Sequence, residues 1–297
     1  MELKNKLIAQ DADLPFTMEW DGVPDDVAEA VADADVALAA SWPLPTNDGK
    51  AVMPEPEAMA AAGTVIRGRA IRIGAADDIG LPESVNRIAG VDISFVKGDA
   101  VRAAASLVVL SYPALDVVYT DIWPVELDQP YIPGFLAFRE VGFFVEAFER
   151  LRATAPELVP DVVLVDGNGV LHRRGFGLAS HLGVLIDVPT IGIGKSFYHV
   201  DGVSQEDIVA TSREVLTAAG DALLVVGESG RVWGAAFRAS ESRKALYVSS
   251  GHRVGLLSAL RIVRACARYR IPEPVRQADL LSRDYVRDVM LGDQASA

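Results

Sequence analysis

The rhythm of apolar and polar positions changes near residue 63. Before it the chain is rich in Ala, Asp and Pro, and DVAEAVADADVALAA is the only helix-like piece. The stretch SWPLPTNDGKAVMPEPE that follows reads as a loop or linker. After residue 63 the pattern becomes that of a packed body. RIAGVDISF (87–95) predicts a strand, and residues 101–111 and 116–124 predict a hairpin around Tyr112, Pro113 and Ala114. Over 136–153, Phe138, Val141, Phe144, Val145, Phe148 and Leu151 recur at helical spacing. DVVLVD (161–166), bounded by Pro160 and Gly167, has the composition of a strand buried on both faces. Further strands are predicted over 188–193, 222–226, 232–238 and 245–248, and a helix over 253–269. A strand meander followed by strand–helix alternation implies an α/β fold with a mixed sheet. There is no internal repeat.

The charge follows the same division. The net charge is −13, which taken alone speaks against a nucleic-acid ligand. Residues 1–62 hold 13 acidic and 3 basic residues, so the body from 63 to 297 carries only about −3 and can present a basic face. We expect two parts: an acidic N-terminal segment, 1–62, of open role, and a packed body, 63–297. No apolar run reaches the ~18 residues of a membrane span, and the N-terminus has no secretory h-region. With a single cysteine, Cys266, no intrachain disulfide forms. Its setting, IVRACARYR, is that of an inert core thiol, and a cytoplasmic location fits.

Within the body three carboxylates stand where sequence physics disfavours them. Asp92 interrupts an apolar strand, sharing a face with Gly90 and Ser94 opposite Val91, Ile93 and Phe95. Glu140 has Leu136, Ala137, Phe143 and Phe144 as its helical neighbours, so its charge is desolvated unless a cation meets it. Asp166 ends a strand, where open α/β sheets bind ligands, and is followed by Gly167 and Gly169. Structural alternatives exist for each: a solvent-facing edge for Asp92, a salt bridge to an arginine such as Arg139 or Arg150 or a snorkelling edge position for Glu140, an Asx-turn for Asp166. If the three converge, they can hold divalent cations of the kind that serve phosphodiester hydrolysis.

Other residues add to the list. His172, followed by Arg173 and Arg174, could meet a metal, a base or a phosphate, or lie on a loop surface. Lys195 sits in GKS, but a phosphate-binding P-loop needs glycine at 189, which is Pro189, so nucleoside triphosphate binding is rejected. The lysine can still stabilise phosphate charge. PYIPGF is a stiff, apolar-tipped turn, able to enter a base stack or to pack as an ordinary loop.

Together AGVDISF, PYIPGFLAFREV, DVVLVDGNGVLHRRGFGLASHLG, VPTIGIGKSF, GHRV and YRIPEPVRQADLLSR resemble the successive motifs of the endonuclease V family, in that family's order over about 87–285. The resemblance implies an RNase H-like mixed β-sheet flanked by helices. It implies a monomeric, metal-dependent DNA repair endonuclease using Mg²⁺ or Mn²⁺. Such an enzyme nicks the second phosphodiester bond 3′ to deoxyinosine and leaves a 3′-hydroxyl and a 5′-phosphate. The alternative is a nuclease acting mainly on inosine-containing RNA. Carried over by motif, Asp92, Glu140 and Asp166 would be the metal ligands. Tyr131, with Ile132 and Pro133, would fill the gap left by a flipped base. Gly134, Leu136, Gly167 and His172 would border the hypoxanthine pocket. Lys195 would assist at the scissile phosphate, and His252 would lie near the metals and orient the attacking water. Ser250 stands where the family more often has proline, and residues 1–62 are unlike the family's short lead-in.

Overall fold

The computed structural model describes residues 70–73, 81, 84–127 and 136–291, of which 70 and 136–138 are described by backbone alone. Nine strands form one sheet: β1 (Ala70–Arg72), β2 (Arg87–Phe95), β3 (Arg102–Ser111), β4 (Val117–Glu126), β5 (Val162–Asp166), β6 (Thr190–Gly194), β7 (Asp221–Val226), β8 (Val232–Phe237) and β9 (Leu246–His252). Their order is β1-β7-β8-β9-β6-β5-β2-β3-β4. β5 runs parallel to β2 and to β6, and every other pairing is antiparallel. The central strands β5 and β6 carry short apolar runs, VVLVD and TIGIG, because helices cover both of their faces.

Among the described residues five helices flank the sheet: α1 (Leu136–Thr154), α2 (Leu178–Ile186), α3 (Gln205–Val215), α4 (Leu256–Ala265) and α5 (Glu273–Tyr285). Phe144, Phe148 and Leu151 of α1 and Leu182 of α2 pack on Val91, Leu107, Val163 and Val165 of one sheet face. Leu257, Leu260 and Val263 of α4 and Val275 and Ala278 of α5 pack on Ile88, Val108, Leu164 and Ile191 of the other. Each fully buried side chain of this size contributes roughly 1.5–3 kcal/mol by leaving water.

Two close approaches bring the chain to the site. A Cβ on Gly90 would lie 2.0 Å from the Pro274 carbonyl oxygen, so the missing side chain is what lets α5 lie down on β2. A Cβ on Gly192 would lie 2.2 Å from the Gly169 nitrogen, which lets the loop after β5 settle on β6. The predicted strands of the body are all present, and β9 runs four residues past the expected end. The helix expected over 253–269 is confined to 256–265, because Gly255 opens it and the chain leaves the helix at Cys266. α2, α3 and α5 were not anticipated. The sheet and helices are thus the α/β arrangement expected from the pattern. Residues 1–62 lie outside the described residues. Among the described residues no helix is long and apolar enough to cross a membrane.

Candidate active site

The parallel register of β2 and β5 pairs Ile88 with Val162 and Val91 with Val165, so the next residues along, Asp92 and Asp166, stand level on neighbouring strands. Alternation puts Asp92 on the α5 face, as its place beside Gly90 and Ser94 implied. There it is buried, 6% exposed. The hydroxyls of Ser94 and Ser282 each donate to its Oδ2 at 3.2 Å, and Ser282 Oγ lies 2.7 Å from Ser94 Oγ. Ser106 Oγ, donating to the backbone oxygens of Asp92 at 3.2 Å and Ala278 at 3.0 Å, ties α5 to the strand at this level. Asp92 is therefore oriented by hydroxyl groups and, among the described residues, forms no ion pair.

Burial pushes the Asp92 carboxyl up to about 8, reinforced by the charge and hydrogen bond of Asp166 and by the charge of Asp279, with Lys195 opposing. Glu140 comes from the opposite face of the sheet, on the second turn of α1. It is 7% exposed, and burial first, then the charge of Asp166, raise it to about 7 against the pull of Arg139. The salt-bridge alternative for Glu140 does not hold. Arg139 donates to the carbonyls of Ala100 and Leu127 and lies over the Phe95 ring, while Arg150 pairs with Asp121 at 2.8 Å. Asp166 accepts an ion pair from Lys195 Nζ. Burial works against the Lys195 ammonium, but Asp166, Asp92 and Asp279 outweigh it and hold the group charged.

The arrangement is an excess of acid in a poorly solvated place, partly neutralised by one lysine. Among the described residues no three His, Cys, Asp or Glu side chains form a compact metal cage. The donor set nonetheless suits a hard cation, which takes one or two carboxylates and fills its remaining positions with water and phosphate. Asp92 and Asp166, side by side with raised proton affinity on the first, are the pair that fits, with Glu140 flanking them.

Sequence reasoning missed Asp279 and Ser282. Both lie on α5, an unanticipated helix, and the i, i+3 spacing of Asp279 and Ser282 beside buried Ala278 was their only signal. His252 is not brought to the acids. β9 is antiparallel to β6 and pairs His252 with Thr190, whereas Asp166 pairs with Ile193. His252 therefore sits about 10 Å back along the sheet. Its Nε2 lies 3.3 Å from Asp187 Oδ1, at the C-terminus of α2. The Gly167 N–H donates to the Ile193 carbonyl at 3.2 Å and is not turned toward a ligand. His172 lies half-buried in the loop after β5, and its Nδ1 accepts the Arg174 N–H at 3.3 Å. Burial and then the charges of Arg174 and Arg173 lower its proton affinity, so it is neutral at pH 7. Tyr131, Ile132, Pro133 and Gly134 lie outside the described residues, and of Leu136 the backbone alone is described.

The family model for Endonuclease V matches residues 72–280. The chain belongs to the endonuclease V family. Endonuclease V of Mus musculus is 55% identical over 204 residues, 68% of this chain and 60% of the mouse protein. The human relative is 52% identical over 204 residues, 68% of this chain and 72% of its own length. This chain thus spans less than two thirds of the mouse relative. The crystal structure of the catalytic domain of human endonuclease V superposes with a TM-score of 0.69 at 49% identity, covering 74% of this chain and 89% of that one. Ciona intestinalis endonuclease V, in complex with a 24mer DNA containing an inosine followed by a ribo-adenosine, superposes at 0.67 and 36% identity, covering 73% and 92%. The RNase H-like fold expected from the motifs is the fold of this endonuclease V family member.

Proposed function

We propose that the protein is a metal-dependent endonuclease that nicks DNA at the second phosphodiester bond 3′ to deoxyinosine. The observation that carries this is buried Asp92 beside half-buried Asp166, flanked by Glu140 and Lys195, in a chain of this family. Asp92, Asp166 and Glu140 would hold Mg²⁺ or Mn²⁺, with Asp279 close enough to act on the same charge balance. A bound divalent cation supplies charge stabilisation to the phosphoryl group as its bond breaks. The chain's own groups do the rest. The Lys195 ammonium neutralises a non-bridging phosphate oxygen. The attacking water gives up its proton to solvent as its oxygen bonds to phosphorus. The bond from phosphorus to the 3′ oxygen breaks opposite the attack, and that oxygen takes a proton from solvent water and leaves as a 3′-hydroxyl, the 5′-phosphate staying on the other strand end.

Recognition falls to the residues around the site. Tyr131, Ile132 and Pro133 would fill the stack after the lesion swings out, and Gly134, Leu136 and neutral His172 would border the base. A duplex with one deoxyinosine, incubated with Mg²⁺ and separately with chelator, tests the reading. One nick, lost with chelator and absent from the adenine duplex, is expected. No cleavage of any inosine strand would overturn the proposal, and cleavage confined to an RNA strand with the same lesion would move it to the RNA alternative.

A further inference from the structure

Lys195 lies just beyond the end of β6, whose last residue, Gly194, pairs with Tyr247. β9 begins at Leu246. At Lys195, therefore, the ladder that fixes the central strands has run out, and the ladder alone does not explain why its ammonium is held on Asp166. A third segment supplies the constraint. Arg270, between α4 and α5, donates from one terminal nitrogen to the Lys195 carbonyl at 3.0 Å and to the Ala245 carbonyl at 3.1 Å. Its Nε donates to the Lys244 carbonyl at 3.2 Å. A single planar guanidinium thus spans the ends of β6 and β9 where their own hydrogen bonds stop. Lysine in its place offers a point charge and could not reproduce this fork.

We propose that Arg270 is a positioning residue for Lys195: by clamping the Lys195 carbonyl to the start of β9, it fixes the backbone from which the ammonium reaches Asp166. The inference rests on the role given to Lys195 above. Arg270 itself touches backbone carbonyls and no reacting group. The clamp also links α5, which carries Asp279 and Ser282, to the Lys195 loop. Arg270 thus stands two residues before Pro272, the N-cap of the helix that carries Asp279.

Two measurements on Arg270→Ala test this, with Arg270→Lys as the second variant should the first fail to fold. The first needs no activity. The Lys195 ammonium, shielded by its ion pair, gives its own signal in lysine-selective proton–nitrogen NMR, identified by its disappearance in Lys195→Arg. In Arg270→Ala that signal should merge into those of the exposed lysines, and in Arg270→Lys it should shift or broaden. An unchanged Lys195 signal in a folded variant would sink the proposal. The second measurement is nicking kinetics. Arg270→Ala should lower kcat ten-fold or more with KM within two-fold, and millimolar guanidinium should restore part of the loss. In a Lys195→Ala background the same change should cost nothing further. Equal losses in both backgrounds would show that Arg270 acts independently of Lys195. If no inosine strand is cleaved at all, the proposed activity fails, while the NMR result still decides the clamp.

Discussion

Asp92 and Glu140 are carboxyl groups held where their anions are disfavoured, and both should show this in stability as well as in activity. With Asp92 raised to about 8, the folded state prefers the protonated acid. Its stabilising contribution is fully present below the ordinary carboxylate range, near pH 4, and is lost as pH rises through about 8. Asp92→Asn keeps the shape and removes the titration. Melting curves of the metal-free protein over pH 5 to 9 should show the variant gaining on the parent as pH rises, by several degrees at pH 8 where ~1 kcal/mol shifts Tm by about 2–4 °C. A constant difference across that range would mean Asp92 ionises normally. The same variant, like Glu140→Gln and Asp166→Asn, should lose nicking by at least a hundred-fold, since each removes an oxygen donor. Near-normal turnover would take that residue out of the site. Cation binding should in turn expel protons near neutral pH, because the acids that receive it are protonated beforehand. Calorimetry in buffers of different ionisation enthalpy would read that release, and heats independent of buffer would contradict it.

At the scale of elements, the site depends on how closely α5 approaches β2. Gly90→Ala puts a methyl group 2.0 Å from the Pro274 oxygen, a backbone atom that cannot swing aside. Overpacking of this kind costs about 1–3 kcal/mol, and it lifts Ser282 and Asp279 away from Asp92. Thermal melts should show the loss, and nicking at a temperature where the variant is folded should fall with it. Gly142→Ala is the contrast. It lies within α1 with nothing in reach of the new methyl group, and should stabilise by about 0.5–1 kcal/mol. Equal melts for the two variants would remove close packing as the reason for Gly90. The same helix shows what the sequence could and could not tell. β2, β5 and α1 announce themselves by strong apolar periodicity, and so Asp92, Asp166 and Glu140 stood out against it. α5 is polar along much of its length and reads as helix only once β2 is there to receive Val275 and Ala278. Asp279 was therefore passed over. His252 failed for a different reason: its neighbours in sequence say nothing of strand direction, and an antiparallel β9 carries it away from the acids.

For the whole molecule, the distribution of charge sets the remaining expectation. The family match begins at residue 72, so it leaves out the whole of the segment that holds 13 acids against 3 bases. Removing residues 1–62 changes the formal net charge from −13 to about −3 without touching Asp92, Glu140, Asp166, Lys195 or Arg270. A polyanionic ligand is repelled less by the shorter chain, and such repulsion is screened over about 10 Å at 0.1 M salt. The truncated protein should bind undamaged duplex several-fold more tightly at low salt, and the two forms should converge as salt rises. Nicking beside deoxyinosine should stay within about two-fold of the full chain, because the chemistry resides in the body. Filter binding across a salt series, with nicking measured on the same preparations, checks both halves. Identical binding at every salt concentration would mean that the acidic segment stays clear of the nucleic acid. An insoluble truncation would show instead that the segment completes the core, and the boundary at 62 would then be misplaced.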